Sequence, residues 1–517
     1  MRHLYIILGD QLDERLLRDL DAEHDAVWMA EVDSEATHVW CHKQRLLLFL
    51  SAMRHFRDGL TARGVDVRYR ELSPRRRRGE PPDHARALTS DLREFQPEEI
   101  ILTRPGDWRI LKSLSEALDG SGLRWSLREE EDHFYASLEE FAQWAKGRKN
   151  LVLEHWYRHL RRREGILIEG GQPVGGAWNF DAANRKSFGK KGPPPIAPLP
   201  GHTWDDRTRE VATLVEARYA DHPGDLESFS LPVTRGEALT WAEHFIQHGL
   251  PRFGPHQDAM WGEDVVLWHS RLSAPLNLKL IHPRELVEAA LKAHDEGRAD
   301  IESVEGFIRQ ILGWREFIRG IYWTRMPEYA ESNALECEDR RVPSFFWTGE
   351  TDMSCVAASM RGLIRHGYVH HIHRLMVLGL FSQQLGVHPY RFHEWHMAMY
   401  LDAVDWVSLP NALGMSQFGD GGIVGSKPYA ATGKYIKRMS NYCGACRYRP
   451  DEATGDQACP FTTLYWDFLD RHRDRLATNQ RMTLQLKNVQ RKDETTLEDI
   501  RARARWLRDR IDAEERI

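Results

Sequence analysis

The strongest constraint on what this chain can fold into is a change of hydrophobic period part-way along it. Residues 3–130 alternate short apolar runs with amphipathic segments: LYIIL, AVWMAEV, VDVRYREL, EEIILTRP and LRWSLREE, with helical stretches such as residues 44–60 between some of them. Short runs buried on both faces suit parallel strands, and the segments between them suit crossover helices. This part predicts an α/β domain with a doubly wound, mostly parallel sheet. From about residue 204 strand-like runs stop, and residues 306–322 place Phe307, Ile308, Ile311, Leu312, Phe317, Ile318 and Ile321 at helical spacing. The second half is expected to be a larger all-α domain. Residues 132–203 hold a helical stretch at 151–163 and then GGQPVGGAWNFDAANRKSFGKKGPPPIAPLPG, which reads as a connector draped over the surface. Its WNFD is unusual for a linker and suggests order against a partner domain. The expected division is 1–131, 132–203 and 204–517.

Ligands of such sheets sit beyond the carboxyl ends of the strands. Gly9-Asp10-Gln11-Leu12 follows the first strand and residues 31–35 follow the second, so these loops are the expected ligand rim. No GxGxxG or Walker pattern follows a strand, which argues against a standard dinucleotide or nucleoside-triphosphate site. The Arg75 to Arg78 run reads as a solvated loop. A net charge of −6 gives no overall attraction for nucleic acid, so DNA binding would need a local basic face. The apolar run at residues 4–8 is followed by Gly9-Asp10, with no cleavage signal, and no run approaches the ~20 residues of a membrane span. A cytoplasmic protein is expected. Six cysteines without secretion signals suggest thiols or metal ligands. Eighteen tryptophans could fill the core, stack on a ring system or carry electrons.

Residues 367–420 place His370, His371, His373, Arg374, Asp402, Asp405 and Asn411 in an apolar helical pattern. Buried charge must be paired or must serve a ligand. If residues 369–384 form a helix, His370 and Arg374 share a face and His371 turns to the next one. The group reads either as an Arg374 to Asp405 bridge with surface histidines or as a ligand site. Nearer the end, Cys443-Gly-Ala-Cys446 is followed by Cys459-Pro460. A fourth thiolate would come from Cys355, a better candidate than Cys337 or Cys41. Four thiolates suit zinc or a [4Fe–4S] cluster, and spacing leaves both open. A redox CxxC lacks its usual βαβ surroundings.

Several motifs then combine. HSRLSAPLNLKLIHPREL (269–286) resembles the serine segment with which photolyases and cryptochromes hold flavin phosphates. QILGWREFIRG (310–320) is similar to their WREF helix, and GYVHHIHRLM to the helix beside the isoalloxazine. With the cysteine set and LGDQL near the start, the chain is similar nearly throughout to the iron–sulfur bacterial cryptochrome/photolyase family, the prokaryotic (6-4) photolyases.

That resemblance implies FAD bound by Ser270, Leu272 and Ser273 at its phosphates, by an Arg374 to Asp405 bridge beside the ring, and by Asn411 at N5, six residues after Asp405. It implies a [4Fe–4S] cluster on Cys355, Cys443, Cys446 and Cys459. It also implies a 6,7-dimethyl-8-ribityllumazine antenna near Asp10, Gln11 and Glu35. Trp314 falls where damaged bases stack, Asp258 and Asp181 match acidic positions near the lesion, and His371, helped by His370, takes the catalytic histidine position. An imidazolium suits the proton transfer that reversion of a (6-4) product requires. His373 and Asp402 are expected to be structural. Trp395 and Trp347 match the electron route to flavin. The position after Trp395, often tyrosine in relatives, is His396, and Met415 replaces a tryptophan of the usual triad.

The activity implied is light-driven repair of UV-damaged DNA by a monomer with no membrane and no obligate protein partner. The alternatives are a blue-light photoreceptor with little repair, and a DNA-binding iron–sulfur protein with a vestigial flavin site.

Overall fold

The computed structural model describes residues 1–129 and 133–517, so the expected boundary at 131/132 lies outside the described residues. Strands β1 (His3–Ile6), β2 (Ala26–Ala30), β3 (Asp66–Arg70), β4 (Glu99–Thr103) and β5 (Arg124–Arg128) form one sheet in the order β3-β2-β1-β4-β5. Every pairing is parallel, with Leu4 opposite Ala26 and Ile100. The apolar runs of β1, β2 and β4 are continuous because both faces of the sheet are covered. Leu4, Ile6, Trp28, Ile100 and Leu102 pack under α2 (His84–Phe95) and α3 (Trp108–Asp119). On the opposite face Tyr5, Ile7, Val27 and Met29 pack under α1 (Lys43–Ala62), in a cluster that continues through Leu276, Leu312, Phe317 and Trp406 of the helical half.

One hydrophobic cluster therefore spans both halves, and backbone bonds cross between them. Leu12 N–H donates to Leu278 O at 3.0 Å, His42 N–H to Ala398 O at 2.8 Å and Trp406 N–H to Gly106 O at 2.9 Å. The ring of His42, fully buried, meets Ile364 O at 2.7 Å.

The segment after the sheet departs from the expected surface connector. Helices α4 (Leu138–Ala145) and α5 (Leu153–Glu164) bury Phe141, Trp156, Tyr157 and Leu160 in the main core. The WNFD stretch is anchored as well. Trp178 lies under the guanidinium groups of Arg158, Arg161 and Arg162, and Phe180 N–H donates to the Glu305 carboxylate at 3.2 Å. Linker-like composition hid this anchoring, which is made by scattered aromatic and arginine side chains.

Beyond residue 204 the described elements are helical, and four wide π-helical turns interrupt them at Phe245–Gly249, Arg309–Arg315, His373–Gly379 and Pro410–Ser416. Such turns are rare and gather at functional sites. Three of the four fall inside the motifs singled out above. The helix expected over 369–384 starts later, at His371, and is π-wound through Gly379. His370 thus precedes the helix instead of sharing a face with Arg374.

Candidate functional site

Arg374 is held at its π turn by donation from Nε to Val369 O at 2.8 Å. Its two terminal nitrogens grip the Asp402 carboxylate at 2.9 and 3.1 Å. The bridge is therefore Arg374 to Asp402, not Arg374 to Asp405. Asp405 points elsewhere: its oxygens accept from Tyr322 Oη and meet His393 Nε2 at 3.0 Å. DAVD offers two carboxylates three residues apart, and their directions are fixed by the turn into helix Asp405–Leu409. Burial pushes the Asp402 carboxyl up, yet the Arg374 guanidinium and the Ser273 hydroxyl, 2.6 Å away, hold it below the usual carboxylate range. Asp402, expected to be only structural, joins Ser273 to Arg374 in one charged unit.

Two neighbours of this unit were not anticipated. Arg271, between Ser270 and Leu272, is buried with its guanidinium over the rings of Trp241 (5.5 Å) and Tyr368 (5.1 Å). Among the described residues it has no carboxylate partner, and its Nε makes no hydrogen bond. A buried cation left in this way fits an anionic ligand. Its signal in the sequence was an arginine inside a phosphate-binding segment. The second neighbour is Ser408. An offset of six residues selects Asn411 when counted from Asp405, but it selects Ser408 when counted from Asp402. Ser408 is buried and bonds His396 Nδ1 at 2.6 Å, whereas the Asn411 amide donates to Val407 O at 2.7 Å in its own helix.

The histidines form a stack. His269 lies on His370 with centroids 4.1 Å apart and planes at 7°, and His373 meets His370 edge-on at 4.2 Å. Burial, reinforced by the neighbouring rings, pushes His269 and His373 each down to about 3 and His370 well below the usual range. His371 differs: it is half-exposed, 5.4 Å from the His269 ring, with Nε2 3.5 Å from Asp258. Ligand nitrogens of His269, His370 and His371 lie within 4.8 Å of one another. Both ring nitrogens of His269 already face carbonyl oxygens, at 2.9 and 3.0 Å, so the group does not present a ready three-nitrogen chelate. Asp181 is engaged by Arg309 at 2.5 Å, and Trp314 packs on the core near Phe317.

Cys355, Cys443, Cys446 and Cys459 line a single enclosed cavity with Met353, Gly433, Tyr442 and Phe461. Gly433 is needed there, because a Cβ would stand 2.8 Å from Cys459 Sγ. Burial and the neighbouring sulfurs push the Cys443 thiol up to about 12 and Cys355 well above its usual range, while Cys459 rises to about 11 mainly through burial. A bound cation would reverse that, since coordination deprotonates thiols. Cys41 and Cys337 lie apart from this cavity.

A second cavity opens at the carboxyl end of the sheet, lined by Asp10 and Glu35 as expected, and also by His84, Asp107, Met397 and Asp405. Gln11 does not line it. The Gln11 amide braces the loop instead, accepting from Leu8 N–H at 3.1 Å and donating to Thr103 O and Arg104 O at 3.2 and 2.9 Å. Burial works against the Glu35 carboxylate, yet the Arg109 guanidinium at 3.0 Å holds it down to about 2. Asp107 goes the other way, pushed up to about 7 by burial and by Asp405.

This arrangement, a parallel α/β sheet packed on a helical half, is the fold of solved photolyase and cryptochrome structures. The crystal structure of a bacterial class III photolyase from Agrobacterium tumefaciens has the same fold, with a TM-score of 0.55 at 17% identity over 85% of this chain and 86% of that one. The cryptochrome of Synechocystis sp. PCC6803 gives 0.53 at 13% identity over 80% and 82%. The model of the deoxyribodipyrimidine photo-lyase-related protein family matches residues 5–231, and that of the FAD binding domain of DNA photolyase matches residues 307–420. The (6-4) photolyase of Agrobacterium fabrum is 42% identical over 511 residues, 98% of each chain. The chain belongs to the iron–sulfur bacterial cryptochrome/photolyase family.

Proposed function

We propose that this protein is a light-driven DNA lyase that reverts (6-4) photoproducts in UV-damaged DNA. The observation that carries the reading is the histidine group. Three of its rings are kept neutral by burial and mutual repulsion, and the fourth, His371, meets both solvent and the Asp258 carboxylate. His371 is thereby the ring of the group that a flipped-out base could reach, with Asp258 beside it. His370, behind it, orients the ring. Trp314 serves as a stacking surface, and Asp258 and Asp181 face the lesion side. Asp181 is balanced by Arg309, which reduces its repulsion of a DNA phosphate.

Reduced FAD bound in this half would supply the light-driven electron chemistry of the reversal. Ser270, Leu272, Ser273 and Arg271 would hold its phosphates, and Arg374 with Asp402 would lie against its ring. Ser408 replaces Asn411 as our choice for the residue at N5, because the offset from the carboxylate that binds Arg374 leads to it. Trp395 and Trp347 would refill the flavin. The four cavity cysteines would hold a [4Fe–4S] cluster; their spacing suits zinc equally, and the family resemblance favours the cluster. Asp10 and Glu35 would receive the lumazine antenna, with Gln11 supporting their loop. We place the protein in the cytoplasm as a monomer; among the described residues no helix is long and apolar enough to cross a membrane.

The test is repair under blue light of oligonucleotides carrying a (6-4) product or a cyclobutane dimer, by wild type and His371→Ala. Wild type should restore the (6-4) substrate, and His371→Ala should lose that activity while keeping its flavin. Failure of fully reduced wild type to restore either lesion refutes the enzyme reading and leaves the photoreceptor alternative.

A further inference from the structure

Trp40 is an indole for which the core has no use. It is 45% exposed, on the segment between helix Ser34–Thr37 and α1 in the α/β half. Its ring stands 5.3 Å from that of Trp347 at 48°, and Trp347 belongs to helix Phe345–Thr348 of the helical half. The segment is rigid. Cys41 is buried, Val39 packs on both large cores, and His42 is pinned to Ala398 O and Ile364 O. An exposed aromatic ring held in contact with a half-buried one across a domain junction is suited to pass charge between interior and solvent.

The other rings near Trp395 are poor ends for such a route. Tyr400 lies 5.9 Å from Trp395, but it is buried under the Arg374 guanidinium at 4.1 Å and its hydroxyl has no hydrogen-bond partner. Oxidising a phenol requires its proton to leave, and here nothing accepts it. The guanidinium also disfavours positive charge so close by. His396, stacked on Tyr400 at 4.2 Å, is a buried imidazole bonded to Ser408 and harder to oxidise than indole. Trp347 leads the other way. The Trp395 indole donates to Phe346 O at 3.0 Å, one residue from Trp347.

We propose that Trp40 is the solvent end of the electron route that photoreduces the flavin, in the order Trp40, Trp347, Trp395, flavin. This rests on the flavin and tryptophan reading above and adds the terminal donor that His396 cannot provide. Under light Trp395 would give one electron to the flavin, Trp347 would refill Trp395, and Trp40 would refill Trp347. The Trp40 radical cation, open to water, releases its indole proton. A soluble thiol then returns one electron and one proton, and two thiyl radicals pair as a disulfide. Water around Trp40 stabilises the charge at the end of the route, which opposes its return to the flavin.

The test compares Trp40→Phe, Trp347→Phe, Trp395→Phe and wild-type holoprotein. Three readouts apply: transient absorption of the indole radical, quenching of indole fluorescence by iodide, and steady photoreduction with a thiol. Trp40→Phe should keep its flavin and melting temperature and should lose part of the iodide-accessible fluorescence, the remainder coming from exposed Trp506. It should also lose the long-lived indole radical and slow photoreduction to the Trp347→Phe level. Wild-type radical lifetime and photoreduction in Trp40→Phe, with Trp395→Phe blocked, overturns the assignment of Trp40 alone. Wild-type photoreduction in Trp395→Phe removes the whole route and Trp40 with it. Wild type that binds no flavin overturns the cofactor reading beneath both.

Discussion

Asp402 and Asp405 show how far apart two carboxylates in one tetrapeptide can lie in purpose. Asp402 neutralises a buried guanidinium, and removing one member of such a pair costs about 3–5 kcal/mol because the other charge stays buried. Asp402→Asn is therefore expected to lower the melting temperature sharply and to yield protein with little flavin absorbance. Asp405→Asn breaks the contacts to Tyr322 and His393 and alters the cavity at the sheet end, so it should retain flavin and lose the antenna pigment on gel filtration. Equal flavin loss in both variants would show that the two carboxylates are not divided in this way. The sequence made the cluster legible as a list of residues but not as a wiring diagram. His371 and Arg374 could be picked out because ionisable types are unusual in an apolar pattern, and the four cavity cysteines by their spacing together with the family resemblance. Which aspartate Arg374 grips, and that buried Arg271 has no carboxylate partner among the described residues, depend on turns that no propensity encodes.

At the scale of the element, the wide helical turns account for much of what local reading missed. The 3.6-residue period predicted a plain helix over 369–384, and the π winding through His373–Gly379 shifts every later side chain relative to that expectation. The turn is permitted by Gly379, where a Cβ would come within 2.1 Å of Ser416 Oγ and 2.7 Å of Arg374 O. Gly379→Ala must push this helix away from the turn Pro410–Ser416, at a cost of about 1–3 kcal/mol by overpacking. We expect a lower melting temperature together with weaker flavin retention in dialysis, since the displaced turn also holds Arg374. A variant with wild-type melting and flavin content would mean that the close approach relaxes freely. The strands were easier to read, because continuous apolar runs separated by amphipathic segments leave little besides a parallel sheet covered on both faces.

Across the whole molecule, one hydrophobic cluster joins the sheet to the helical half, and several buried histidines sit neutral at the seams. His42, joining the halves, is pushed down to about 4 by burial, and His373, behind the lesion side, to about 3. Unfolded histidine takes up its proton near pH 6.5 and these folded ones do so only at lower pH, so between those values the unfolded chain binds more protons. Stability is then complete above about pH 6.5 and falls on acidification by up to about 1.4 kcal/mol per pH unit per histidine, until each folded value is reached. Urea midpoints measured from pH 7.5 to 4.5 should drop steeply, and His42→Gln, if it folds, should flatten the slope. A midpoint independent of pH over that range would contradict it. The shared core was the least legible feature at this scale. Composition placed a connector across residues 132–203, whereas Phe141, Trp156 and Tyr157 pack into the same cluster as the sheet.

The cavity at the sheet end has walls from both halves, with Asp10 and Glu35 on one side and Met397 and Asp405 on the other. A pigment seated there would be gripped by both halves at once, and the packing between them would fix its place relative to a flavin held beside Arg374. The angle between their two transition dipoles would be set by the packing of the core, and the yield of excitation transfer would stay constant until the protein itself unfolds.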